Sequence, residues 1–132
     1  MEMRALISRL MAAISEALGL ASDYLNTVFG KHDHWMALNY YPACPNPDLT
    51  LGIPGHSDVR GITVLMQGDV SGLQVIKDGK WVAVEPIPNA FVVNLGVQLE
   101  VAIRIRKIKT ELGYLNFPLF KSFTLLFLFI IC

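Results

Sequence analysis

Cysteine and histidine are both scarce in this 132-residue chain, and their placement limits its chemistry. The two cysteines, Cys44 and Cys132, share no repeated spacing, which excludes a disulfide framework or a zinc knuckle and favours a reducing compartment. Net charge is missing as well. Eleven Lys and Arg balance 11 Asp and Glu, so no overall field favours nucleic acid or an acidic substrate. Glu2 and Arg4 precede an amphipathic stretch rather than a basic segment leading into an apolar one, so no secretory leader is expected. The final apolar run, after Lys121, is shorter than the roughly 17–25 residues a membrane span needs. Repeats and polar low-complexity segments are absent too. The histidines are His32, His34 and His56, and none follows His56.

What is present is apolar and punctuated by turns. Hydrophobic residues make up 53% of the chain, and the tail contributes much of that excess. One domain at most is expected at this length. Leu6, Ile7, Leu10, Met11, Ile14, Ala17 and Leu18 recur at helical spacing, with Gly19 placed to stop the helix. Ser22 is a candidate cap for a second short helix that runs to Phe29. From Trp35 the pattern changes to short β segments over 36–41, 51–55, 62–66, 73–76, 81–84 and 91–95. Asp78-Gly79 between two of them suits the positive φ angles of a type I′ hairpin turn. Trp81 is expected in the core. Several short strands at near-regular spacing predict a β-sandwich or jelly roll, with helices at one end making the class α+β, mainly β. After Glu100, residues 101–109 alternate apolar with basic, and 117–132 are strongly apolar. A buried strand or helix, a weak anchor or an aggregation-prone appendage are all open readings of that tail.

The sharpest chemical feature is His56-Ser57-Asp58. On an extended strand, residues i and i+2 point to one face. An imidazole and a carboxylate then converge as two ligands of a divalent metal would. A 2-His-1-carboxylate set with open positions is the arrangement of non-haem Fe(II) oxygenases. The triplet alone is weak, and its surroundings give it weight. Upstream lie Asn39-Tyr40-Tyr41-Pro42, with Pro45 and Pro47, then Gly52-Ile53-Pro54-Gly55. Downstream lie Gly61-Ile62-Thr63-Val64-Leu65, Gly72-Leu73-Gln74-Val75, Gly79-Lys80-Trp81 and Asn94-Leu95-Gly96.

Over roughly residues 5 to 100 this set closely resembles plant 2-oxoglutarate/Fe(II)-dependent dioxygenases of the flavanone 3-hydroxylase-like and downy-mildew-resistance types. The resemblance implies a partial double-stranded β-helix, a jelly-roll relative, preceded by helices. It implies residues 1–34 as the end of a helical region, 35–100 as part of the dioxygenase domain and 101–132 as a divergent tail. It implies His56 and Asp58 as iron ligands, and Asn39 and Tyr41 as residues lining the 2-oxoglutarate pocket. Fe(II), the co-substrate 2-oxoglutarate and O₂ are the expected reactants, with ascorbate as an accessory reductant. The substrate is expected to be a small flavonoid or phenolic metabolite, oxidised with release of succinate and CO₂. The expected compartment is the cytoplasm, with no nucleic-acid or membrane partner.

Three family features have no match. No histidine follows His56 to act as the distal ligand. Neither Arg104 nor Arg106 is followed two residues on by the serine of the family's Arg-x-Ser clamp, and Val97 stands where an acidic residue is usual. The resemblance ends near Glu100, which leads to the expectation of a truncated or frame-shifted chain. Weak or absent turnover by the chain alone is expected, with a catalytically inactive isoform as the alternative. Unpaired strand edges lead to an expectation of self-association.

Overall fold

The computed structural model describes residues 3–31, 33–111 and 126–129, with 105–111 and 126–129 described by backbone alone. The chain divides into two compact units, residues 1–39 and 40–132.

The first unit is a helix pair. Helix α1, Met3–Ala17, is rich in Ala, Leu, Met and Arg, which lose little side-chain freedom in a helix. It ends in paired bonds, Leu20 N–H to Ser15 O at 3.0 Å and Gly19 N–H to Glu16 O at 2.9 Å, as the sequence led us to expect. Helix α2, Tyr24–Phe29, follows Asp23, so the cap falls one residue later than Ser22. Met11 and Leu25 are buried at 4% and 2% exposure and form the apolar part of this pair. Ser15, fully buried, joins the two helices. Its hydroxyl donates to Met11 O at 2.8 Å and accepts Leu25 N–H at 3.2 Å. Asn26 Nδ2 donates to Ser8 O at 3.0 Å and adds a second polar tie.

The second unit is built mainly of antiparallel strands. They are β1 (Ile53–Ser57), β2 (Ile62–Leu65), β3 (Leu73–Lys77), β4 (Lys80–Ala83), β5 (Val92–Leu95) and β6 (Leu126–Phe129). A helix, α3 (Val97–Glu111), follows β5. One sheet has the order β1-β6-β3-β4, and β2 pairs with β5 in a second. The β3–β4 hairpin turns at Asp78 and Gly79, with φ of 52° and 76°. These are the left-handed values that Asp-Gly supplies at low cost, and Lys77 pairs with Lys80 across the turn. Leu73 and Leu99 are the fully buried apolar side chains of this unit among the described residues.

Two local expectations are corrected. Residues 36–41 form no strand, because no ladder partner lies beside them among the described residues; 36–40 are exposed and Tyr41 is half-buried. Trp81 is not core. All four residues of β4 are exposed, and among the described residues the strand pairs only with β3. The alternating basic run 101–109, for which no element was expected, lies within α3. Leu99, Ala102 and Ile103 recur at helical spacing, and Glu100 accepts from Arg104 at 2.7 Å one turn away. Of the apolar tail, 126–129 is a strand in the first sheet, and the rest lies outside the described residues.

Candidate metal centre

His56 occupies an irregular part of β1. The register against β6 shifts between Ile53 and His56, a bulge at Pro54-Gly55. Pro54 has no N–H to give the ladder, so a regular pairing there is unavailable. The Pro54 carbonyl serves another purpose and lies 2.9 Å from His56 Nδ1. A carbonyl can only accept, so Nδ1 carries the proton and Nε2 the lone pair of the neutral ring. A ring nitrogen fixed in this way is the usual support behind a metal-binding imidazole.

Asp58 lies just past the end of β1, and its Oδ1 is 3.6 Å from His56 Nε2. Two donors at about 2.0–2.2 Å from one divalent ion stand ~3 to 4 Å apart, so the spacing fits a shared metal. The other carboxylate oxygen, Oδ2, is buried without a hydrogen-bond partner. A lone pair facing a carboxylate, with a second carboxylate oxygen unsatisfied, is an arrangement that a cation completes. The imidazole is 44% exposed and the carboxylate 17%, so the pair is open to an ion from solvent on the histidine side.

Tyr41 is half-buried in the second unit, and burial of its phenol pushes the pKa above the ordinary 10.0. Its hydroxyl therefore stays protonated, as a hydrogen-bond donor to a carboxylate must. Asn39 is exposed and ends the first unit. His34 is exposed in that unit, and His32 lies outside the described residues. Among the described residues no group of three or more His, Cys, Asp and Glu is placed to hold a metal.

A support that sequence reasoning missed lies at the start of α3. Val97 N–H donates to the Asp58 carbonyl at 2.8 Å, flanked by Gly96 N–H to Gly61 O at 2.9 Å and Gln98 N–H to Val59 O at 3.1 Å. The signal that could have located it is Gly96 itself, a glycine at the junction between a strand and a helix.

Known proteins match the chain over about three quarters of its length. The family model described as 2OG-Fe(II) oxygenase superfamily matches residues 32–106. Protein DMR6-LIKE OXYGENASE 2 of Arabidopsis thaliana is 61% identical over 98 residues, which are 74% of this chain and 28% of that protein. Flavanone 3-dioxygenase 2 of Oryza sativa subsp. japonica is 51% identical over 100 residues, 75% of this chain and 29% of that protein. A solved structure of JOX2 in complex with 2OG, Fe and JA superposes with a TM-score of 0.64 at 40% identity, covering 74% of this chain and 30% of that one. The chain thus spans less than a third of the length of these relatives.

Proposed function

Because the chain belongs to the 2OG-Fe(II) oxygenase superfamily, we propose that it is an Fe(II)- and 2-oxoglutarate-dependent dioxygenase acting on a small flavonoid- or phenolic-type metabolite. The observation that carries this reading is the pairing of His56 Nε2 with Asp58 Oδ1 at 3.6 Å, backed by the Pro54 carbonyl on Nδ1. His56 and Asp58 would take two positions on Fe(II) and leave others for co-substrate, O₂ and a further donor. When bound, Fe(II) supplies O₂ activation coupled to decarboxylation of 2-oxoglutarate to succinate and CO₂. The protein's share is to hold the imidazole in its lone-pair form and to keep the carboxylate half of the pair away from bulk water. From their places in the sequence motif, Asn39 and Tyr41 are assigned to the co-substrate. Tyr41 would donate its hydroxyl proton to a carboxylate oxygen.

The substrate class rests on the name of one relative, a flavanone 3-dioxygenase. We assign residues 1–34 to the end of a helical region, 35–100 to the partial oxygenase domain and 101–132 to a divergent tail. The cytoplasm is the proposed compartment, supported by two cysteines with no disulfide spacing. No helix among the described residues is long and apolar enough to cross a membrane. Strand β4, which pairs on one side only among the described residues, is the proposed edge for self-association.

The test is succinate release by the purified full chain supplied with Fe(II), 2-oxoglutarate and ascorbate, with a flavanone added or omitted. The expected result is weak succinate release that flavanone increases and that His56→Ala abolishes. Succinate release unaffected by His56→Ala would overturn the reading. Metal binding without succinate release would favour the alternative of a catalytically inactive isoform.

A further inference from the structure

The two donors of the metal pair are held by different kinds of backbone. His56 lies within β1, where pairing to β6 sets its direction. Asp58 lies beyond the strand, in the 58–61 link between β1 and β2, where no ladder reaches it. Three consecutive amides from another part of the chain hold this link instead. Gly96, Val97 and Gln98 donate to the carbonyls of Gly61, Asp58 and Val59. Two of these amides belong to the first turn of α3, and such amides have no acceptor inside their own helix. Here they are satisfied by the backbone that carries the carboxylate.

The approach is close enough to demand a glycine. A Cβ at position 96 would fall on the Arg60 carbonyl oxygen and lie 2.9 Å from the Asp58 carbonyl oxygen. Gly96 is buried, and its φ is not among the positive values, so close approach rather than backbone conformation excludes a side chain. We infer that Gly96 is a positioning residue for the carboxylate ligand. By lacking a side chain it lets the β5–α3 junction seat against the 58–61 link, and the Val97 amide then fixes Asp58 opposite His56. This inference rests on the reading of His56 and Asp58 as metal ligands.

Cobalt(II) serves as the probe, because its visible absorption reports the ligand field as well as affinity. Gly96→Ala is compared in the full-length chain with Gly68→Ala, a glycine whose added Cβ meets nothing within 4 Å. Val97→Pro is the second variant. Proline is tolerated at a first helical position, but it removes the N–H that reaches Asp58. The expected result is roughly 10–100-fold weaker Co(II) binding and a shifted band in Gly96→Ala and Val97→Pro, with Gly68→Ala like wild type. Amide exchange in the unaltered chain avoids any folding defect. Loading Co(II) is expected to slow exchange at 96–98, because coupling between the ligand and its support is reciprocal. Unchanged affinity and spectrum in both variants, or exchange at 96–98 indifferent to Co(II), would overturn the positioning role and leave the metal pair standing. Failure of the unaltered chain to bind Co(II), or binding retained in His56→Ala, would remove the metal pair and the positioning role together.

Discussion

Replacing Asp58 by asparagine should separate fold from function in opposite directions. In the metal-free chain the carboxylate contributes little to stability, because Oδ2 is buried without a partner. Leaving such an acceptor unsatisfied costs about 1–3 kcal/mol. The compensating attraction is the 3.6 Å approach to His56. Between unit charges at that range in a water-like medium it amounts to about 1 kcal/mol, and it exists only while the imidazole is charged. A water-like value is appropriate because the imidazole is 44% exposed. Asp58→Asn in the presence of a chelator should then equal wild type or exceed it by up to ~1 kcal/mol in urea unfolding.

Metal reverses the order. At a free Co(II) concentration 100 times the wild-type Kd, the wild-type fold gains about 2.7 kcal/mol. A variant that binds at least 10–100-fold more weakly gains no more than about 0.4–1.4 kcal/mol at the same concentration. With metal added, the wild-type chain should therefore become the more stable of the two, by about 0.3–2.3 kcal/mol. A chelator-treated Asp58→Asn chain destabilised by more than about 1 kcal/mol would refute the reasoning. It would show that the carboxylate supports the fold through contacts of its own.

Two further outcomes are expected. Leu73 is fully buried on β3, so Leu73→Ala should cost about 2–5 kcal/mol in urea unfolding; a loss below 1 kcal/mol would remove it from the core. Burial raises the Tyr41 pKa above 10.0, so its contribution is intact below that pH and is lost as pH rises through the folded-state value. Absorbance titration should show one tyrosine ionising late, and Tyr41→Phe should both remove that step and flatten the alkaline loss of stability.

Helices α1 and α2, the hairpin and strands β1 to β5 were legible because each has a local cause. Leu6 to Leu18 repeat at helical spacing, and Asp78-Gly79 accepts positive φ. The His56–Asp58 pair was legible for a related reason, since strand periodicity places i and i+2 on one face. That argument brought the two side chains together by an incomplete route. Asp58 is past the strand end, and its placement depends on amides nearly forty positions along the chain. No local pattern records such a contact. Ser15 was missed for the opposite reason. A serine inside an apolar helix has ordinary surface readings, and only the approach of Leu25 N–H gives its hydroxyl a buried partner. Trp81 was misplaced because a large aromatic between valine-rich segments fits a core strand as well as an edge, and pairing decides which it is.

Holding two ligands by separate supports has a consequence for how the site fails. Bulge and ladder aim the imidazole, so damage to β1 pairing should turn His56 while leaving the link at 58–61 pinned. Damage at 96–98 should free Asp58 while the Pro54 carbonyl still fixes the ring. A metal held by both donors would couple the two supports, because each ligand it engages favours the arrangement of the other. Substitutions made singly at Pro54 and at Gly96 should then act additively on urea stability in chelator, since they share no partner. In saturating Co(II) they should become non-additive. Additivity that persists in metal would mean that the ion rests on one of the two donors alone, and the 3.6 Å gap between Nε2 and Oδ1 would no longer mark a shared ligand position.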